Sequence, residues 1–376
     1  MSGNPLKLGF IGGGINSAVG NTHRIASQMD HRWILEAGCF SKNSEINLET
    51  AHQWGIDTSR LYENWKDLLN KESGKLDAIC LLTPTPMHSE MAIEALNLGY
   101  AVICEKAMTT NCKNAAAICD TVERNKGFLA VTYNYTGYPM LRELRQMIKS
   151  GKLGTLQQIQ IEMPQEGFAR LDREGKPFVP QSWRLEDGII PTISLDLGVH
   201  LHHMIYFLSG EKPLEVAADQ TSFGNFKQVM DTVMCIARYT GNLRSQLWYS
   251  KAAFGHRNGL RVRVYGDKAS AEWFQMQPEE LIFNDIYGNR SVIDRASNVD
   301  LANELRYNRF KSGHPAGFIE AFANHYYDLA ESLLKFKETG TFDSPWIFPA
   351  NQAMEGLEMF EAIALASKNH CWQKIS

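Results

Sequence analysis

Three side chains have the types and spacing that proton-transfer chemistry requires. His200 is a natural base, since an unperturbed histidine side chain has a pKa of about 6.5, and Asp196 precedes it by four residues. On a helix such residues share one face, so the carboxylate could orient the imidazole and stabilise its cation. Lys106 follows a strand-like run and could donate to an oxygen that gains negative charge. The alternatives are a capping or core histidine and a solvated lysine.

A metal site is a second interpretation of the same segment. Asp196, His200 and His203 could share a helix face, and His202 lies beside them. Zinc or iron needs an assembled shell of three or four ligands, and neither a CxxC nor an HExxH motif accompanies these residues. We therefore predict no metal, with His202 and His203 in core or substrate packing.

A glycine cluster follows the first strand-like run, residues 7–11. It comprises Gly12, Gly13, Gly14, Ile15, Asn16 and, after three further residues, Gly20. Glycines at such a turn let the backbone approach a pyrophosphate, and the next helix directs its N-terminal amides at that charge. The spacing departs from G-x-G-x-x-G, because Gly20 comes three positions late. A plain strand–helix turn is the alternative.

The second strand carries the residues that would select between NAD and NADP. An acid at its tip would hold the ribose 2′-hydroxyl of NAD. Here the strand ends in Phe40-Ser41-Lys42, and Glu36 comes too early. A hydroxyl beside a cation could instead hold the 2′-phosphate of NADP, so the sequence slightly favours NADP. A solvated loop lysine is equally compatible with this pattern.

The order of the predicted strands and helices along the chain indicates two domains. The 376 residues have ordinary globular composition and a net charge of −4, which indicates neither a nucleic-acid nor a membrane partner. Residues 1–135 alternate strands with helices, which predicts a parallel, doubly covered sheet. Residues 136–376 carry strand after strand and then helices, which predicts an α+β domain. The seven cysteines are scattered, with Cys39, Cys80 and Cys104 in apolar runs, as expected of reduced thiols in a cytoplasmic protein.

Two further motifs connect these observations to a known family. Strand 77–82 is followed by Thr83-Pro84 and His88, and strand 101–104 by Glu105-Lys106-Ala107. Both lie where parallel strands deliver their carboxyl ends, which is where such sheets bind ligands. With the glycine turn and the Asp196–His200 motif, they make the whole chain resemble the Gfo/Idh/MocA family, which includes glucose–fructose oxidoreductase and inositol dehydrogenase.

The resemblance implies a fold and an assembly. It implies an N-terminal Rossmann dinucleotide-binding domain and a C-terminal α+β domain with a large, mostly antiparallel open sheet. In the family the exposed face of that sheet commonly packs against another subunit, so a homodimer or homotetramer is expected. The family's E-K-P motif reads Glu105-Lys106-Ala107 here. A cis bond before alanine costs about 3–4 kcal/mol, so either a trans bond or a retained cis bond fits the sequence.

The resemblance also implies roles for individual residues. Lys106, Asp196 and His200 match the family's catalytic positions. NAD(P) is expected to contact the glycine turn, both motif turns and the residues near the nicotinamide. The predicted cofactor-binding set is Gly12, Gly13, Gly14, Ile15, Asn16, Gly20, Ser41, Lys42, Thr83, Pro84, His88, Glu105, Lys106, Asn134, Trp183 and Arg184.

The function predicted from the resemblance is hydride transfer between NAD(P) and a secondary alcohol. The expected substrate is a small polyhydroxylated molecule: a sugar, a sugar derivative or an inositol. One alternative is a glycosidase that oxidises its substrate transiently with bound NAD and then eliminates an aglycone. The other is a non-catalytic dinucleotide sensor. Retention of Lys106, Asp196 and His200 together disfavours the sensor, because a sensor needs no proton relay.

Overall fold

Strands alternate with helices in residues 4–137. The computed structural model describes residues 4–375. Within residues 4–137 the elements are β1 Leu6–Gly12, α1 Gly20–Gln28, β2 Trp33–Cys39, α2 Ser44–Trp54, α3 Trp65–Lys71, β3 Ala78–Leu82, α4 His88–Asn97, β4 Ala101–Cys104, α5 Cys112–Asn125 and β5 Leu129–Val131. A short 3₁₀ turn, Asn134–Gly137, ends this stretch. Every residue of β3, β4 and β5 is buried, as continuous apolar runs in a doubly covered parallel sheet require.

The middle of the chain is dominated by strands. Its elements are α6 Pro139–Lys149, β6 Leu156–Pro164, α7 Val199–Ser209, β7 Pro213–Thr221, β8 Thr232–Tyr239, β9 Arg244–Ser250, β10 Arg261–Gly266, β11 Ala269–Phe274, β12 Leu281–Asp285 and β13 Arg290–Ile293. A long connection links β6 to α7. It includes the predicted irregular segment 164–190 and ends in a π-helical turn, Ser194–Gly198.

The last part of the chain contains two long helices. The elements are α8 Phe318–Thr339, β14 Phe348–Pro349, α9 Ala350–Asn369 and β15 Gln373–Lys374. In the first sheet the order is β14-β5-β4-β3-β1-β2, parallel except for β14. In the second sheet the order is β13-β12-β11-β10-β6-β9-β8-β7-β15, antiparallel except where β6 runs parallel to β9. The predicted fold class is confirmed.

The chain divides into two compact units. One contains the chain up to Gly137 together with Phe318–Met354, and the other contains Tyr138–Gly317 and the chain from Glu355. This division differs from the expected domains, 1–135 and 136–376, because α8 and β14 belong with the first unit. The physical reason is the apolar face of α8, which buries Phe322, Tyr326 and Leu329 in the core beneath the parallel sheet.

The second sheet has one buried and one exposed face. In β8, Val233, Cys235 and Ala237 are buried, whereas Met234 and Ile236 are about half exposed. This alternation is the period-two pattern of a sheet that covers a core on one side only. Among the helices of residues 4–375, none combines the length and apolar composition that crossing a bilayer requires.

Candidate active site

The glycine turn brings β1 and α1 into very close contact. Gly12 and Gly13 have positive φ angles of 82° and 78°, which favour glycine strongly. A Cβ atom on Gly20 would lie 1.7 Å from the carbonyl oxygen of Gly13. Gly20 therefore has the helix–strand packing role of the third glycine in a dinucleotide turn, although it comes three positions late in sequence.

The extra residues of the turn are ordered by local hydrogen bonds. The Ile15 amide donates to Oγ1 of Thr50 at 3.2 Å, and the Gly14 amide donates to the carbonyl of Phe40 at 3.1 Å. The amide of Gly20 donates to Oγ of Ser17 at 3.3 Å. Asn16 is exposed at the outer side of the turn. Hydrogen bonds thus fix the conformation of the turn, and a Cβ atom at Gly12, Gly13 or Gly20 would clash with neighbouring atoms.

Ser41 and Lys42 follow the carboxyl end of β2, as predicted. The Oγ atom of Ser41 accepts from the amide of Asn43 at 3.1 Å, and its own amide donates to Oδ1 of Asn47 at 3.3 Å. Lys42 is exposed. Glu36 lies in the middle of β2 and forms ion pairs with Lys7 and Arg60. The hydroxyl of Ser41 and the ammonium group of Lys42 are therefore the polar side-chain groups at the tip of β2.

His88 connects the two motif turns of the parallel sheet. Its Nε2 lies 2.7 Å from the carbonyl oxygen of Thr83, and its Nδ1 lies 2.9 Å from the carbonyl oxygen of Ala107. Its side chain is buried, and burial lowers its pKa against the smaller effect of these carbonyls. Both ring nitrogens face backbone carbonyls. A neutral imidazole carries a single N–H, so it donates a hydrogen bond to one of these two carbonyls. Its predicted contact with the cofactor stays a prediction.

The low pKa of His88 makes the protein less stable in acid. Below about pH 6.5, the unfolded chain binds a proton that the folded His88 resists, so the free energy of unfolding falls as pH decreases. We expect His88→Gln to reduce this slope by up to about 1.4 kcal/mol per pH unit. Urea denaturation between pH 5 and 8 measures it, with His52→Gln, on exposed α2 surface, as the control. Equal slopes in wild type and His88→Gln would contradict the prediction.

Glu105 and Lys106 lie directly after β4. Glu105 is buried, and its Oε1 lies 3.0 Å from Nε2 of His23 on α1. Its Oε2 accepts from the backbone amide of Lys106 at 3.1 Å. The Lys106–Ala107 peptide bond is cis. Lys106 is half-buried, at the same sheet edge as the glycine turn and the Thr83-Pro84 turn.

Asp196 is bound by two cations in the second unit. Its Oδ2 atom lies 2.8 Å from an Nη atom of Arg184 and 2.6 Å from Nζ of Lys251. The Lys251 side chain is mostly buried and its ammonium group lies 4.8 Å from the ring centre of Phe168. The carboxylate is therefore held by Arg184 and Lys251.

His200 lies at the start of α7, immediately after the π-helical turn that contains Asp196. It is 5% exposed. A π turn adds a residue to the helical repeat, so a spacing of four no longer ensures a shared face. The predicted contact in which Asp196 orients His200 stays a prediction. Such turns occur often at functional sites.

The remaining predicted residues lie in both units. Asn134 is buried in the 3₁₀ turn of the first unit, and within residues 4–375 its Nδ2 atom has no hydrogen-bond partner. In the second unit, Nε1 of Trp183 donates to Gln181 at 2.9 Å. The Arg184 guanidinium lies 4.4 Å from the ring centre of Trp183. Arg184 thus supports Asp196, and its predicted cofactor contact stays a prediction.

The first unit has the features that a dinucleotide requires. The glycine turn is a cradle that Cβ atoms would fill at Gly12, Gly13 and Gly20. The buried amide of Asn134 is an available donor, and buried donors without partners are rare in native proteins. A pyrophosphate fits the first feature and a carboxamide such as that of nicotinamide fits the second.

Sequence reasoning missed two functional candidates. His23 follows Gly20 by three residues, and its signal was a histidine on the buried face of the helix after a glycine turn. Lys251 follows β9 directly. A lysine after a strand usually lies in solvent, so nothing local indicated its ion pair with Asp196.

Comparisons with known proteins agree with this geometry. The profile described as "Oxidoreductase family, NAD-binding Rossmann fold" matches residues 6–133, and that of the "GFO/IDH/MocA C-terminal domain" matches residues 141–272. The crystal structure of an oxidoreductase from Sinorhizobium meliloti is 31% identical, covers 98% of this chain and 99% of its own, and has a TM-score of 0.85.

Two relatives have names that describe ligands or substrates. An inositol dehydrogenase homolog from Azotobacter vinelandii, complexed with NADH and myo-inositol, is 24% identical with a TM-score of 0.89, covering 99% of this chain and 98% of its own. Levoglucosan dehydrogenase of Pseudarthrobacter phenanthrenivorans (strain DSM 18606 / JCM 16027 / LMG 23796 / Sphe3) is 23% identical over 83% of this chain and 82% of its own.

Proposed function

Because the chain belongs to the Gfo/Idh/MocA family of NAD-binding oxidoreductases, we propose that it oxidises or forms a secondary alcohol of a sugar, sugar derivative or inositol. The observation that carries the proposal is the clustering at one sheet edge. The glycine turn, the Thr83-Pro84 turn and Glu105-Lys106 follow β1, β3 and β4, which are neighbours in the parallel sheet. Ligands bind at the carboxyl ends of such strands. The cytoplasmic location predicted from the cysteines is part of this proposal.

The proposed chemistry assigns proton transfer and orientation to the protein. Bound NAD(P) supplies the hydride acceptor or donor. His200 takes the hydroxyl proton as the base, and Lys106 donates to the substrate oxygen and stabilises its negative charge. Asp196 supports the imidazolium form of His200. Lys106 belongs to the first unit, and Asp196 and His200 belong to the second.

The ion pairs of Asp196 refine its proposed role. Arg184 and Lys251 bind one carboxylate oxygen of Asp196, which fixes the orientation of the carboxylate. We therefore assign Arg184 and Lys251 to positioning Asp196, with proton transfer left to His200.

The slight preference for NADP rests on Ser41 and Lys42. A 2′-phosphate would accept hydrogen bonds from both side chains. We expect Lys42→Ala to weaken NADPH binding by about tenfold or more, the loss of one charge-assisted hydrogen bond, and to leave NADH binding within about twofold. Titration calorimetry with both cofactors measures this, with exposed Lys113→Ala on α5 as the control. Equal losses for NADH and NADPH would remove Lys42 from cofactor selection.

We further propose that a second copy of the chain covers the open face of the antiparallel sheet. Met234 and Ile236 are 51% and 49% exposed, and Trp248 lies opposite Met234 on β9. Met234→Glu should place a charge in this interface and shift the protein to a smaller assembly in light scattering after size exclusion. Leu48→Glu on α2, which is also exposed, is the control. An unchanged mass for Met234→Glu would reject the interface.

A substrate panel tests the proposed function directly. Sugars, sugar acids, inositols and glycosides are each incubated with NAD⁺ or NADP⁺, and the reduced nicotinamide is followed by absorbance. Net reduction with at least one polyol supports the dehydrogenase. Release of an aglycone without net NADH formation would establish the glycosidase instead. Dinucleotide binding with no turnover of any compound would favour the sensor.

A further inference from the structure

The first unit contains a buried, hydrogen-bonded network of polar side chains. His23 on α1 is 0% exposed, Glu105 after β4 is 7% exposed, and Tyr326 on α8 is 1% exposed. Nδ1 of His23 lies 2.7 Å from the Tyr326 hydroxyl, and its Nε2 lies 3.0 Å from Glu105 Oε1. Three elements far apart in sequence therefore meet at one imidazole.

The donors and acceptors of this hydrogen-bonded network are complementary. Burial acts to raise the pKa of Glu105, but the hydrogen bond from His23 and the charges of His23 and Lys106 hold it below its usual range. The ionised carboxylate accepts from Nε2–H of His23. Nδ1 of His23 is paired with the hydroxyl of Tyr326, a group that can donate or accept a hydrogen bond. Each of the facing polar atoms has a partner, as a buried network requires.

The hydrogen-bonded network of His23, Glu105 and Tyr326 connects the glycine turn to Lys106. α1 begins at Gly20, which contacts Gly13 so closely that a Cβ there would clash. His23 is one turn further along the same helix. At the other end, Glu105 Oε2 accepts from the backbone amide of Lys106 at 3.1 Å. A shift of α1 is therefore transmitted through His23 and Glu105 to the backbone of Lys106.

We infer that His23 and Glu105 form a positioning pair that sets Lys106 relative to the glycine turn. The inference rests on the proposed function, in which Lys106 contacts the reacting oxygen. His23 touches neither dinucleotide nor substrate in this assignment, so it is a positioning residue. A misplacement of about 1 Å can lower turnover by about 10²-fold, so this pair matters for turnover more than for binding.

Two substitutions of His23 separate the hydrogen bond from the packing. His23→Phe keeps the contacts with Phe10 and Phe322, whose ring centres lie 6.5 and 4.8 Å from that of His23, but removes both hydrogen bonds. His23→Gln retains a donor toward Glu105. The double variant His23→Phe/Glu105→Gln removes the buried charge that would otherwise lack its donor, so it keeps the test decisive if His23→Phe folds poorly.

The first readout is steady-state kinetics with parallel cofactor binding. We expect kcat to fall about 10–100-fold in His23→Phe, less in His23→Gln, and to stay low in the double variant, while the NAD⁺ affinity of the two single variants stays within about threefold. Leu329→Ala, in the same core on α8, is the control for lost stability and should retain kcat below its melting temperature. A wild-type kcat in a folded His23→Phe, or equal losses of kcat and NAD⁺ affinity, would overturn the inference.

The second readout needs no substrate. Lysine acetylation by acetic anhydride is followed by mass spectrometry, and the rate at Lys106 is divided by that at Lys126, which is exposed at the end of α5. We expect this ratio to rise at least threefold in His23→Phe and to stay near wild type in His23→Gln and Leu329→Ala. An unchanged ratio in His23→Phe would overturn the inference. A wild type that is inactive on every substrate would reject the proposed function, and this ratio would still decide the inference.

Discussion

Replacing His200 by alanine should lower kcat by about 10²–10⁴-fold, the usual loss when a general base is removed, and leave NAD(H) affinity within a few-fold. The imidazole lies on α7 in the second unit, whereas the glycine turn lies in the first. The substitution therefore removes the proposed proton acceptor and leaves the residues of the dinucleotide cradle unchanged. Steady-state kinetics with the substrate found in the panel, together with NADH titration, measures the two effects separately.

His202 supplies the matched control for this experiment. It lies two residues further along α7, is equally buried, and its Nε2 lies 3.6 Å from Glu355 of α9. His202→Ala should lower stability through loss of this buried pair but retain most of kcat. If His200→Ala were as active as His202→Ala, His200 would have no role as a base, and the proton acceptor would have to be sought elsewhere.

Replacing Gly20 by alanine should weaken dinucleotide binding and destabilise the fold. The new Cβ would lie 1.7 Å from the carbonyl oxygen of Gly13, less than any non-bonded contact allows, so α1 must move away from β1. We expect a loss of stability of about 1–3 kcal/mol from overpacking and at least about a tenfold weaker NADH affinity, since about 1.4 kcal/mol of binding free energy is a factor of ten. Calorimetric titration of NADH and thermal denaturation measure both.

The control for this substitution is Gly167→Ala. A Cβ at Gly167 meets no atom within 4 Å, and its φ angle is not in the positive range. It should therefore bind NADH as the wild type does. If Gly20→Ala retained wild-type NADH affinity in a folded protein, the close approach of α1 and β1 would not be part of the dinucleotide site, and the late third glycine would have only a packing role.

The fold class and the cofactor turn were accessible from the sequence because their signals are local. Continuous apolar runs such as residues 77–82 predict buried parallel strands, and β3 occupies Ala78–Leu82. The glycines after β1 predicted a turn that excludes side chains, and the structure has positive φ angles at Gly12 and Gly13. The sequence also predicted that the motif turns after β3 and β4 lie at the same edge of the sheet, because the carboxyl ends of parallel strands meet there.

Contacts between distant segments were decided only by the tertiary structure. Helix α8 follows the second sheet in sequence but packs in the first unit, because its apolar face fits that core. Likewise, His23 meets Glu105 across 82 positions, and Lys251 meets Asp196 across the span from β9 to the π turn. Residue spacing shows which side chains share a face of one helix or strand. The pairing of buried charges depends instead on which helices and strands pack together. The sequence therefore predicted which residues carry chemistry, and the fold decided which side chains contact them.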